Sequence, residues 1–170
     1  MITIQEVVEN EDNSVVEQAI SEETDDYSFE APHVSMFALY GKGPNNSTQI
    51  MRILGRHKRK RLHILIDIGS THNFLDTKVA KAMGRTLSPI NPLLVEAAGS
   101  DINCSAIYRQ FEWELQGVIF KTDLYIIPLG ATKMVLGVQW MLTLGDITWN
   151  LNKLKMKFQV SGKVLELNGL

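Results

Sequence analysis

One carboxylate stands out by where the chain puts it. In HILIDIGSTHNF, residues 63–74, the apolar run Ile64-Leu65-Ile66 leads straight into Asp67 and then into the small-residue turn Gly69-Ser70-Thr71. A catalytic acid on a β-scaffold needs a rigid strand behind it, a turn whose backbone passes close by, and a second acid with which to share a proton. ILIDIGST supplies the first two. Gly69 lets the backbone approach the carboxylate, and the hydroxyls of Ser70 and Thr71 are of a kind that can hydrogen-bond and orient it. The third is missing: Asp76 precedes Thr-Lys, Asp101 precedes Ile-Asn, Asp123 precedes Leu-Tyr and Asp146 precedes Ile-Thr, so no second acid opens a similar turn. If Asp67 works in a pair, its partner comes from another copy of the chain.

The elements that must position this acid read as β-strands. From Pro32 onward, short apolar runs are punctuated by turn residues, the pattern of an all-β domain. VSMFALY (34–40) reads as a strand ended by a loop at 41–46. Thr48 to Leu54 and Leu62 to Asp67 read as strands joined by the basic segment Gly55 to Arg61. Asp76 is placed to cap a short helix through Thr77 to Met83, with Gly84 as its stop and Pro89 and Pro92 closing the segment. Residues 93–108 read as a hairpin with a small-residue tip at Ala97-Ala98-Gly99-Ser100, and residues 111–129 as a second hairpin turning at Gln116-Gly117. Met134 to Gly137 is a short buried run and Val138 to Leu144 about two helical turns. Ile147 to Leu151, Leu154 to Val160 and Val164 to Leu167 complete the strands, with turns at Asn152-Lys153 and Ser161-Gly162.

Composition bounds the rest. With 170 residues, 45% of them apolar, the chain has material for one domain with a real core. The formal charge of -2 hides an asymmetry, because residues 1–30 carry ten acids and no Lys or Arg, leaving nine acids against all seventeen basic residues in the body. Such an acidic, weakly apolar stretch reads as a flexible arm over residues 1–31 ahead of a domain at 32–170; a short amphipathic helix through Ser14 to Ile20 is the alternative. The single Cys104 forms no internal disulfide and reads as a small core residue. No Cys/His grouping has zinc-ligand spacing, so neither a metal nor a cofactor is expected. A reducing, cytoplasmic setting fits, and neither a secretory leader nor a membrane span is expected. Trp113, Trp140 and Trp149 read as core, and His72 as a structural histidine after the turn.

ILIDIGSTHNFLD, followed about sixty residues later by MVLGVQW, resembles the retropepsins, the homodimeric aspartic proteases of retroviruses and long-terminal-repeat retrotransposons. The nearest look is to the protease domain of plant gypsy-type retrotransposon polyproteins. It covers roughly residues 33–170 and extends through STHNFLD, LYIIPLG, MVLGVQWMLTLGDITWNLNKLKMKF and GKVLELNGL. The resemblance implies a retropepsin-like β-barrel with one or two short helices. It implies Asp67 as the catalytic aspartate in the active-site turn Ile68-Gly69-Ser70, and Val135-Leu136-Gly137 as the segment packed beneath that turn. It implies a flap from about Val95 to Ile102, with Ala97, Ala98, Gly99 and Ser100 at its tip. The implied activity is cleavage of a retrotransposon polyprotein by a homodimer, in the cytoplasm, with a virus-like particle and the nucleus left open as places of action.

Two positions depart from the family pattern. Ile68 stands where the family has Ser or Thr, whose hydroxyl bonds across the dimer axis; a weaker dimer or a looser dyad is the expected consequence. Glu96-Ala97-Ala98-Gly99 replaces the Ala-Asn-Gly of the plant group. These departures keep a second reading in view, a transposon remnant with weakened or no catalysis that serves as a dimerisation or interaction module. The basic run Arg56 to Arg61 is a candidate phosphate-binding patch or nuclear-import signal. It also reads as an ordinary charged turn without interleaved aromatics, so nucleic acid is an unlikely partner that this hairpin leaves open. Its charge is opposite to that of the arm, which suggests that the arm folds over it.

Overall fold

Alternating side chains in the first hairpin give it one inward and one outward face, and the architecture grows from that hairpin. The computed structural model describes residues 31–41, 51–97 and 99–170. The acidic arm with its alternative helix, the loop at 42–46 and residues 48–50 lie outside the described residues. In chain order the elements are β1 (His33–Val34), α1 (Met36–Tyr40), β2 (Met51–His57), β3 (Lys60–Ile66), β4 (Phe74–Asp76), α2 (Thr77–Ala82), β5 (Ser88–Ala97), β6 (Ile102–Leu115), β7 (Val118–Ile127), β8 (Met134–Leu136) and α3 (Val138–Met141). A 3-10 turn at Leu142–Leu144 follows, then β9 (Ile147–Asn150), β10 (Lys155–Val160) and β11 (Lys163–Asn168).

Strands β6-β2-β3-β8-β4-β7 pair in that order, and pairing of β7 back to β6 closes them into a six-stranded barrel. β5 extends the sheet from β6 and carries β1 on its outer edge, while β9, β10 and β11 form a separate antiparallel sheet. This is the retropepsin-like, mostly β architecture expected from the sequence.

Two apolar clusters explain the uninterrupted run before Asp67. Ile64 and Ile66 point into the barrel core with Phe111, Trp113 and Trp140. Leu65 points the other way, into a second cluster with Val34, Leu39, Phe74 and Val135. A strand buried on both faces has no place for an alternating polar residue. Trp113 and Trp140 are buried as expected and Trp149 half-buried, and Cys104 lies fully inside the second cluster.

Several local expectations hold. Asp76 caps α2, accepting from the Lys78 and Val79 N–H groups at 2.9 and 3.3 Å. The second hairpin turns at Gln116 and Gly117, both at positive φ (50° and 79°), the conformation that suits a two-residue turn between twisted strands. Three differ. Residues 34–40 are the end of β1 and then α1 rather than one strand, because Ser35 acts as a helix cap: its Oγ accepts from the Ala38 N–H at 3.3 Å. The basic join is only Lys58-Arg59, since β2 continues to His57, whose buried ring donates from Nδ1 to the Glu112 carbonyl at 2.6 Å and stacks on Phe111. Pro89 and Pro92 lie within β5 rather than before it; the register slips between Pro89 and Leu93, where a missing N–H interrupts the ladder.

Asp76 has a second duty, accepting the Leu129 N–H at 3.0 Å through Oδ2. Asp76→Ala removes a cap and leaves a partly buried donor unpaired, so a loss of about 2 kcal/mol is expected. A lower urea midpoint at unchanged slope is the measurement that checks it.

Candidate active site

Asp67 follows β3 directly, and its backbone N–H is fixed to the Leu136 carbonyl at 3.0 Å. Its side chain is only 8% exposed, so its oxygens must find partners within the protein. Oδ1 accepts the Gly69 N–H at 2.9 Å. Oδ2 accepts two hydroxyls, that of Ser70 at 2.7 Å and that of Ser35 in a short contact. The direction of both is determined by their other partners. Ser70 Oγ already accepts the Ser35 N–H at 3.0 Å, and Ser35 Oγ the Ala38 N–H, so the hydrogen of each hydroxyl is free for the carboxylate. Oδ2 is thereby committed as an acceptor. A proton on this carboxyl group belongs on Oδ1.

The turn is stitched to the chain beneath it. Val138 N–H donates to the Ser70 carbonyl and Gln139 N–H to the Thr71 carbonyl, each at 2.9 Å. Asn73 is buried and accepts the Gly137 N–H at 3.0 Å through Oδ1, while its Nδ2 donates to Gln139. Gly137 has to be glycine, because a Cβ there would collide with the Ser70 and His72 carbonyl oxygens. Val135 and Leu136 are fully buried in β8, which lies parallel to β3 in register Leu65 to Val135 and Ile66 to Leu136.

β1 ties the turn to the end of β5, where the sequence reading places its flap. His33 N–H donates to Thr71 Oγ1 at 2.7 Å, the Thr71 N–H returns to the His33 carbonyl at 3.0 Å, and His33 Nδ1 donates to the Gly69 carbonyl at 2.9 Å. On its other side β1 pairs with β5, His33 opposite Glu96 and Val34 opposite Ala97. Val95 is fully buried at the base of that segment, whereas Gly99 and Ser100 are exposed at its tip and Ala98 lies outside the described residues. Gly99 has φ +98°, a conformation side chains resist.

The residues singled out in sequence thus fall into three places. Asp67, Gly69 and Ser70 share one hydrogen-bonded turn, Leu136 and Gly137 contact its backbone, and Ala97 ends β5 while Gly99 and Ser100 precede β6. Ile68 is 72% exposed and turns away from the network. Thr71 does not serve the carboxylate; its hydroxyl is taken by His33 and His72. The sequence reading missed Ser35, His33 and Asn73. Ser35 carried a usable signal as a helix cap before an apolar run, whereas the other two carried none, since their contacts join distant segments.

His72 sits edge-on to Tyr125, 5.4 Å between ring centroids, with its Nδ1 at 2.8 Å from Thr71 Oγ1 rather than on Asp67. Desolvation holds its pKa below the usual 6.5. The unfolded chain therefore binds a proton more readily, so this contribution to stability is complete above the unfolded value and is lost as pH falls from there through the lower folded value. His72→Gln should flatten the dependence of the unfolding midpoint on pH below about 6.5, seen by comparing urea titrations of both proteins at neutral and mildly acid pH.

Comparison with known proteins gives the context. No match is found among curated proteins. Among solved structures, the retroviral protease-like domain of Ddi1 from Leishmania major aligns with a TM-score of 0.55 at 12% identity, covering 70% of this chain and 94% of that one, a likeness of fold. The family model described as retroviral aspartyl protease matches residues 53–159, a span that holds the Asp67 turn, β5, β6 and Gly137. With more than half of its length matched, the chain belongs to the retroviral aspartyl protease family.

Proposed function

We propose that the protein is an aspartic endopeptidase that acts as a homodimer, each copy giving one Asp67, on the polyprotein of a gypsy-type retrotransposon of the plant group. The observation that carries this reading is the Asp67 carboxylate itself, nearly buried yet held by three donors at the end of a strand covered on both faces. Such an arrangement is costly for a turn acid without a task.

In the dimer, two Asp67 groups meet across a two-fold axis. Like charges at that distance cannot both persist, so the pair holds one proton. The two hydroxyls on Oδ2 direct it to Oδ1. The ionised member draws a proton from a water between them, the water oxygen attacks the scissile carbonyl carbon, and the protonated member donates to the carbonyl oxygen. Collapse of the tetrahedral gem-diol then breaks the C–N bond: the leaving amine takes a proton from one Asp67 while a diol hydroxyl gives its proton to the other, so that the carboxylic acid product forms and the dyad again holds one proton. The substrate lies extended beneath Ala97, Ala98, Gly99 and Ser100, bonded as an added strand, and side-chain pockets at alternating positions select it. No metal or cofactor enters this scheme, and the site of action is the cytoplasm.

Ile68 supports a second reading, a dimerisation or interaction module derived from a protease. Its exposed apolar side chain can meet its own copy by contact alone, without the hydrogen bond of a Ser or Thr.

Two measurements separate the readings. The full chain at mildly acid pH and high concentration should hydrolyse a mixed peptide library, and Asp67→Asn should abolish all cleavage; a folded wild-type protein that cleaves nothing would leave the module. Ile68→Thr should raise dimer association by roughly tenfold or more, since a regained hydrogen bond is worth about 1 kcal/mol at each of two sites. Sedimentation showing the substituted protein to be no more dimeric than the original would rule out the lost hydroxyl as the cause of a weak dimer.

A further inference from the structure

The outward face of the β2–β3 hairpin is cationic. Residues 51–66 contain six Lys or Arg and no acid. The strand alternation puts Arg52 and Arg56 of β2 outside, and Lys60, Arg61 and His63 of β3 are exposed beside them, with Lys58 and Arg59 at the turn. None of these side chains is in an ion pair among the described residues, where the two ion pairs are Arg109–Asp123 and Lys155–Glu166. The nearest acid in register is Glu114 of β6, opposite Arg56.

Two features go beyond an ordinary solvated turn. Arg56 stands directly opposite Arg61 in the β2–β3 register, and like charges facing each other across strands destabilise a sheet unless an anion relieves them. Further along the same face the barrel wall opens into a cleft of about 460 Å³ lined by Arg52, His63, Thr132 and Lys133. Here the outward side of β3 passes from Leu65, sealed in the second core, to the uncovered His63. Thr132 is buried, and its hydroxyl has no partner among the described residues. Two cationic side chains, the His63 imidazole and an unpartnered hydroxyl make a pocket of phosphate-binding character, continuous with the row of arginines.

From this we propose that the β2–β3–β8 face binds the phosphate backbone of a nucleic acid, one phosphate seated in the cleft and its neighbours running along Arg56, Arg61 and the turn. Arginine dominates the row, and its planar fork suits phosphate oxygens. The exposed row holds no Phe, Tyr or Trp, so the contact is sequence-independent and reads charge spacing rather than bases. Lys60, at the far end of β3, lies roughly 23 Å from Asp67 at strand rise, and His63 at the cleft roughly 13 Å. The proposal stands whether or not the chain cleaves peptides.

Fluorescence anisotropy with a labelled mixed-sequence RNA oligonucleotide and the full chain tests it. Binding is expected at about 50 mM salt and should fall about a hundredfold by about 200 mM, the loss for roughly five neutralised phosphates on a single strand. Arg56→Gln with Arg61→Gln should weaken binding about tenfold or more without lowering the unfolding midpoint, because the pair is mutually repulsive. Arg52→Gln with Lys133→Gln should do the same through the cleft, and Arg→Lys replacements, which keep the charge and lose the fork, should weaken binding less than the Gln variants. Unchanged affinity in both neutralised pairs, or no binding at the lower salt, would overturn the proposal. So would displacement of the RNA by polyglutamate at equal charge, or tighter binding to anionic phospholipid vesicles, which would assign the face to an acidic protein or to a membrane.

Discussion

The Asp67 turn and the chain beneath it approach more closely than any side chain allows, and the rest of the fold is arranged around that approach. Gly137 lies against the carbonyls of Ser70 and His72 where a Cβ would collide. Because it does, Val138 and Gln139 can return hydrogen bonds to the turn, and β8 can lie parallel to β3 beside Asp67. Inserting β4 between β8 and β7 then closes the barrel. The acid is thus held from below by backbone hydrogen bonds, with the buried Asn73 side chain fixing Gly137 in place.

From the side it is held by Ser35, a residue with three simultaneous roles. It caps α1, donates its N–H to Ser70 Oγ and directs its hydroxyl to Asp67 Oδ2. Each partner leaves the next with one proton and one direction for it, so the network has a single polarity. That polarity distinguishes the two carboxylate oxygens, Oδ2 saturated by donors and Oδ1 left with capacity for a proton or a water.

The same hairpin meets two different demands at its two ends. Toward Asp67 its strand β3 is apolar on both faces, because α1 and β1 pack against Leu65 on the outer side. Toward Lys58 the covering elements are gone and the outer side is cationic. A β-strand can change character in this way because successive side chains on one face are nearly 7 Å apart, far enough for Leu65 and His63 to lie in different surroundings.

The sequence by itself determined the elements whose signals are local. Asp67 beside its glycine turn, the Asp76 cap and the Gln116-Gly117 turn were legible because each is written in a few consecutive residues. The family was legible from several such stretches in order. Tertiary structure alone decided how they are joined. VSMFALY reads as a strand by composition, yet Ser35 turns it into a helix whose cap also serves the acid. His33 and Asn73 look like any polar residues until the barrel closes and brings Gly69 and Gly137 to them. Pairing Arg56 with Arg61 and opening the cleft at Lys133 likewise needed register and a third strand. For the contacts that fix the acid the physical reason is the same: hydrogen bonds between segments more than thirty positions apart, such as Ser35 to Asp67 or Asn73 to Gly137, leave no periodicity in the chain and exist only once long-range strand pairing has set both ends.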